Sequence, residues 1–222
     1  MAICAIFGWD GVIIDSSREH EQSWQRLAAE EDRTLPEGFF QKGFGMKNEM
    51  IIQQILRWTH DKNEVYRLSM RKEQFYREIL GTTDIEILPG VSAFLDLLHS
   101  MAIPCMIASS THRANIEVVM EQVGIGGYFD GIISGEDVAA GKPDPQVFLM
   151  AARYFECPVQ NSVVFEDAPA GIVAAHRAGM KAVGVATTHP AYTLIEADIV
   201  VQRLDELNRF KLEDLYAHAQ HI

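Results

Sequence analysis

The sequence predicts an α/β fold in which a parallel sheet is interrupted, after its first strand, by an all-helical insert. Three observations carry this. Short, continuous apolar runs recur along the chain. From about residue 88 they alternate with segments of helical periodicity. Between about Ser16 and Gly81 that rhythm stops, and only helix-like patterns are found. Continuous rather than alternating runs suit strands covered on both faces, and strand–helix alternation implies βαβ units in a parallel, Rossmann-like sheet.

Taken in order, the first strand is Ala2 to Phe7. The insert follows, with Trp24, Leu27 and Ala28 on one helical stripe and Ile51, Ile52, Ile55 and Leu56 on another. A Lys-, Arg- and Glu-rich helix then runs from Val65 to Ile79. The sheet is expected to resume through Ile87-Leu88-Pro89-Gly90, whose Pro-Gly pair is a turn signal opening a helix from Val91 to His99. Further strands are read at 105–108, 131–133, 162–165, 182–185 and 199–201. The helices between them are Ile116–Val123, Val147–Phe155 and Ala170–Ala178, the last following Pro169 at a favoured first-turn position. The expected organisation is a core of residues 1–15 and 82–222 and a helical cap of 16–81.

Composition narrows the function. With 31 acidic and 19 basic residues the formal charge is −12, a field that repels phosphate backbones and anionic lipid, so no nucleic-acid or membrane partner is expected. An anionic small substrate must then be held by local cations or a metal ion. The three cysteines, Cys4, Cys105 and Cys157, lie far apart without metal-ligand spacing and read as free thiols in a reducing compartment. A basic leader with a cleavage site is not seen, and no apolar stretch approaches the roughly 18 residues of a membrane span. The expectation is a cytoplasmic protein, monomeric or weakly dimeric.

In open parallel sheets ligands bind beyond the carboxyl ends of the strands. Those ends carry Asp10-Gly11 after the first strand, Ser109-Ser110-Thr111 after the second, Lys142 after the third and Glu166-Asp167 after the fourth. Carboxylates for a hard cation, together with a hydroxyl and an ammonium for phosphate oxygens, suit phosphate chemistry. Each piece also has a plainer reading: Asp10-Gly11 as a turn, Ser109 as a helix cap, Lys142 as surface, Glu166-Asp167 as charge at a helix start. The segment Gly135–Lys142 is no phosphate-binding Walker loop. Five residues separate its glycines where four are required, and Pro143 stands where Ser or Thr should be.

The ordered set Asp10-Gly11-Val12, Ser109, Gly141-Lys142-Pro143-Asp144-Pro145 and Glu166-Asp167-Ala168-Pro169-Ala170-Gly171 resembles the haloacid dehalogenase-like (HAD) hydrolase superfamily. Asp15-Ser16, His20, Trp24 and Ala178-Gly179-Met180 extend the likeness to its helical-cap branch, which includes beta-phosphoglucomutase and phosphoglycolate phosphatase. Other stretches, among them Gly45-Met46-Lys47-Asn48-Glu49 and His189-Pro190-Ala191-Tyr192, are similar to plant plastid riboflavin-pathway phosphatases of the same superfamily. The resemblance implies an Mg²⁺-dependent phosphohydrolase or mutase acting on a small phosphorylated metabolite. In such enzymes a strand-one aspartate becomes an aspartyl-phosphate, while a second aspartate two residues on acts as acid and base. It maps the acid/base role to Asp10, phosphoryl binding to Ser109 and Lys142, and metal binding to the Asp10 carbonyl, Glu166 and Asp167. Ser110, His20, Lys47 and Asn48 are the expected substrate contacts, with Arg18 nearby.

The departure is Gly8, which occupies the nucleophile position and has no side chain to attack phosphorus or ligate metal. Three accounts stay open at this point: a natural loss leaving a phosphometabolite-binding or regulatory protein, an introduced substitution, or re-routed chemistry. Asp15 is close in sequence but reads as the start of the cap hinge. In the cap, Lys47 at the end of a Gly-rich loop is expected to offer its cation to a second anionic group, ahead of a helix from Glu49 to Arg57. Arg67, Arg71, Lys72 and Arg77 read as a solvated helix face.

Overall fold

The computed structural model describes residues 3–217, so Ala2, placed above in the first strand, lies outside the described residues. Six strands form one parallel sheet: β1 (Cys4–Phe7), β2 (Cys105–Ala108), β3 (Gly131–Ile133), β4 (Ser162–Glu166), β5 (Lys181–Val185) and β6 (Ile199–Val201). Their order is β3-β2-β1-β4-β5-β6. All six coincide with the apolar runs, because a strand covered on both faces must be apolar at every position. Along β1, Ala5 and Phe7 enter one apolar layer while Cys4 and Ile6 enter the other. Phe7 stacks on Phe165 of β4 with centroids 4.6 Å apart, and Phe94 packs edge-on to Phe165 at 5.2 Å.

Between β1 and β2 lie α1 (Ser17–Glu30), α2 (Phe39–Gly43), α3 (Asn48–Met50) and α4 (Lys62–Leu80), then α5 (Val91–Ser100). The sheet helices are α6 (Arg113–Val123), α7 (Gln146–Tyr154), α8 (Pro169–Arg177) and a terminal α9 (Arg209–Ala217). Trp24, Leu27, Ile51, Ile52, Leu56, Val65, Leu68 and Phe75 make an apolar cluster of their own, separate from the two sheet layers. The helices α1–α4 therefore have an interior independent of the sheet.

Two expectations need correction. Residues 87–90 form no strand: Ile87 makes a single antiparallel bridge to Ile14, and Leu88 N–H donates to the Ile13 carbonyl at 2.8 Å. The apolar pair there closes the neck of the insert instead. The expected helix from Glu49 to Arg57 is shorter, with α3 running into a wide helical turn over Ile51–Ile55. That turn keeps Ile51 and Ile52 buried. The Pro-Gly signal holds, since Gly90 adopts φ +91° immediately before α5.

Candidate active site

The strand order reverses at β1, which lies between β2 and β4, and the polar strand ends gather there. One cavity is lined by Gly8, Asp10, Ser109, Ser110, Thr111, Lys142, Glu166 and Asp167 from the sheet side. Phe40, Phe44, Met46, Asn48, Lys72 and Glu73 are among its cap-side lining residues, with His20 and Trp24. Sequence positions spread over most of the chain thus share one space, as the strand-end rule requires.

Asp10 sits under a clamp. Ser16 Oγ donates to its Oδ1 and Thr111 Oγ1 to its Oδ2, and His20 Nε2 stands 3.4 Å from Oδ1. Burial by itself would raise the carboxyl, but the His20 ring and the two hydroxyls outweigh it and hold Asp10 down at about 2. Lys142 Nζ pairs with Glu166 Oε1 and reaches the Ala108 carbonyl at 3.5 Å. Asp167 accepts from Thr188 Oγ1. Burial, and next the charge of adjacent Glu166, push its carboxyl well above the usual carboxylate range.

Close approach dictates two glycines. A Cβ on Gly11, whose φ is +77°, would stand 2.1 Å from Asp167 Oδ2, and one on Gly171 would stand 2.2 Å from Glu166 Oε2. Each vacant Cβ position is the seat of a carboxylate, which ties Asp10-Gly11 and Ala170-Gly171 to the same acidic pair. At Gly8 the fit is looser: a Cβ would meet Glu166 Oε1 at 3.0 Å and Val12 Cγ2 at 3.1 Å, both at movable side-chain ends.

Two buried carboxylates with a backbone carbonyl nearby suit a hard divalent cation that keeps several waters and takes phosphate oxygens as further ligands. Among the described residues no group of three or more His, Cys, Asp or Glu side chains is placed to hold an ion. The donor set therefore fits a cation that shares its shell with substrate. It does not fit a closed, all-protein cage.

The cap wall differs from the sequence reading. Lys72 is no part of a solvated face: at 1% exposure it is buried, and its ammonium donates to His20 Nδ1 at 2.7 Å and Glu73 Oε1 at 3.0 Å. The other ring nitrogen of His20, Nε2, faces Asp10. Glu73 also accepts from Asn48 Nδ2 at 2.6 Å and from Asn115 Nδ2. Burial works against its ionisation, yet Lys72, His20, His112 and Asn48 together hold Glu73 at about 2. Arg67 and Arg71 do lie on the outside, paired with Glu31 and Glu30.

His20, Asn48 and Ser110 line the cavity, whereas Lys47 does not. Its ammonium donates to the Val138 carbonyl at 2.9 Å and latches the Gly43–Asn48 loop onto the loop after β3. Arg18 is exposed and outside the cavity, and Asp15 is exposed with Oδ1 bonded to Ser17. Sequence reasoning named Thr111 only as a strand-end residue, placed Lys72 on a solvated face and gave no site role to Thr188, Glu73 and Asn115. The two threonines follow β2 and β5 and obey the same strand-end rule. Lys72 stands four residues from both Leu68 and Tyr76, on the apolar stripe of α4, and that position was the available signal.

A family model described as haloacid dehalogenase-like hydrolase matches residues 5–185. The chain is 37% identical over 213 residues to the 5-amino-6-(5-phospho-D-ribitylamino)uracil phosphatase, chloroplastic, of Arabidopsis thaliana, covering 95% of this chain and 57% of that protein. The chain thus spans little more than half the length of that relative. It is 31% identical over 208 residues to beta-phosphoglucomutase of Bacillus subtilis (strain 168), covering 91% of this chain and 90% of that one. The crystal structure of beta-phosphoglucomutase from Clostridium difficile superposes with a TM-score of 0.87 at 28% identity, covering 98% of both chains. A family match over most of the chain agrees with a parallel sheet that delivers the family's motif residues to one rim: the chain belongs to the haloacid dehalogenase-like hydrolases.

Proposed function

We propose that the chain is a phosphohydrolase-type protein that binds a small phosphorylated metabolite with Mg²⁺ and hydrolyses it slowly, without a phosphoenzyme. The observation that carries this is the convergence of Asp10, Ser109, Lys142, Glu166 and Asp167 on one cavity at four neighbouring strand ends. Ser109 and Lys142 would hold phosphoryl oxygens, and Glu166, Asp167 and the Asp10 carbonyl would hold the cation. When bound, Mg²⁺ supplies compensation for charge developing on the phosphoryl group.

The chain's own residues set the rate. Gly8 offers no attacking oxygen, so phosphorus must be attacked by water. Asp10, ionised and aimed by Ser16 and Thr111, is the group available to take that water's proton. A carboxyl held at about 2 is a weak base at neutral pH, which makes direct hydrolysis slow. The finer substrate reading follows the relatives: a phosphorylated sugar or polyol, as the names of the plant phosphatase and the mutase suggest.

The test is turnover of para-nitrophenyl phosphate with and without Mg²⁺, with orthophosphate binding followed by calorimetry. The reading expects orthophosphate binding that needs Lys142, and slow turnover abolished by Asp10→Asn. Orthophosphate binding with zero turnover supports the second reading, a phosphometabolite-binding or regulatory protein, which Gly8 itself favours. Failure to bind orthophosphate overturns both.

A further inference from the structure

The cap-side wall of the cavity bears on which phosphorylated compounds can enter, and this step rests on the reading just given. Four carboxylates line the cavity, Asp10, Glu73, Glu166 and Asp167, against the two ammonium groups of Lys72 and Lys142. Both ammonium groups are already engaged, Lys142 with Glu166 and Lys72 with Glu73. The lysine best placed in the sequence to receive a second anion, Lys47, is turned away onto the Val138 carbonyl. Arg18 is exposed and does not line the cavity.

What remains of the cap-side lining is rich in acceptors and apolar rings. Glu73 accepts from three donors, two on Oε1 and one on Oε2, and a carboxylate has about four lone-pair sites, so one site is left. The Asn48 amide spends its NH₂ on Glu73 and Ser69, which orients its carbonyl oxygen as an acceptor. Phe40 and Phe44, with centroids 5.1 Å apart, form an apolar side next to these groups. Acceptors and an apolar surface recognise hydroxyl or amine donors and carbon faces. They leave a second phosphate, whose charge would be buried beside the Lys72-paired Glu73, without a free cation.

We infer that Glu73 makes this a monophosphate-selective cavity, taking phosphomonoesters whose remaining part is an uncharged, donor-bearing polyol or amine and rejecting bisphosphates. The test is calorimetric titration of the full chain in Mg²⁺ with orthophosphate, fructose 6-phosphate and fructose 1,6-bisphosphate, the two sugars differing only by the second phosphate. Orthophosphate should bind, and the monophosphate should bind at least about tenfold more tightly than the bisphosphate. Glu73→Gln, which removes one charge and keeps the shape, should narrow that gap about threefold or more. Asn48→Lys, which adds a cation beside Glu73 and does not depend on the first variant folding, should close it. Lys47→Met should leave the ratio unchanged. Orthophosphate binding with equal or tighter bisphosphate binding overturns the inference. Absence of orthophosphate binding overturns the phosphohydrolase reading itself, and the inference falls with it.

Discussion

The two walls of the cavity are built by different rules. The sheet wall consists of loop residues fixed at strand ends, where half-buried Asp10 and buried Asp167 are pushed in opposite directions. His20, Ser16 and Thr111 lower Asp10, while burial and Glu166 raise Asp167. The cap wall consists of helix residues in a closed network, Lys72–Glu73 with His20, Asn48 and Asn115, in which each charge has a partner of opposite sign. The sheet wall carries more carboxylates than cations, with Lys142 paired to Glu166. A wall with compensated charges defines shape and hydrogen bonding. The lesson is that burial alone does not mark a catalytic group, but burial with an unbalanced partner set does.

The sharpest way to probe that contrast is to restore the group the sheet wall lacks. Gly8→Asp should raise Mg²⁺-dependent phosphatase turnover on the order of 10⁴-fold, the scale of a missing covalent nucleophile, and should permit phosphoenzyme trapping. Its Cβ meets side-chain atoms of Glu166 and Val12 at 3.0 and 3.1 Å, which a shift of a few tenths of an ångström relieves, so the chain should still fold. Failure of a folded Gly8→Asp chain to gain turnover would break the view that the sheet wall is otherwise complete. Next, Asp10→Asn should reduce residual turnover by about 10²-fold or more while sparing orthophosphate affinity.

On the cap wall the effects should appear as stability. Lys72→Met leaves Glu73 buried without its ammonium and should cost about 3–5 kcal/mol in urea unfolding. A loss well below 1 kcal/mol would show that the network is not compensated in the way described. The pH dependence of Glu73 has a definite sign. Its carboxyl is depressed in the folded chain to about 2 from an ordinary value of 4.5. Its contribution is therefore present above about pH 4.5 and lost as pH falls toward 2. The stability gap between the unaltered chain and Glu73→Gln should shrink over that window when followed by thermal melts. The smallest effect belongs to the outer face of the same helix. Arg67→Ala breaks exposed pairs with Glu31 and Glu64 and should shift the melting temperature by only a degree or so, about the size expected of surface ion pairs.

That contrast between the two faces of α4 marks where the sequence stops being readable. A run of Arg67, Arg71, Lys72 and Arg77 has one composition, yet Arg67 and Arg71 are solvated while Lys72 is buried at the cavity. Only the packing of α4 against α1 decides which side of the run faces inward. Lys47 makes the same point in reverse: its place after a Gly-rich loop suggested an anion contact, and a carbonyl from a loop 91 residues away claimed it instead.

Reading along the chain was enough to find the sheet, its helices, the insert and the polar strand-end residues that gather at one rim. Both-face burial forces continuous apolar runs, and a parallel sheet brings its strand ends to one rim wherever they lie along the chain. Gly8 too was legible, because the absence of a side chain needs no coordinates. The tertiary structure alone decided the cap wall: the turned-away Lys47, the buried Lys72–Glu73 pair and the hydroxyl clamp on Asp10. Helical residues meet the cavity according to how helices dock on one another, and that docking is a sum of long-range contacts that no local pattern in the sequence records.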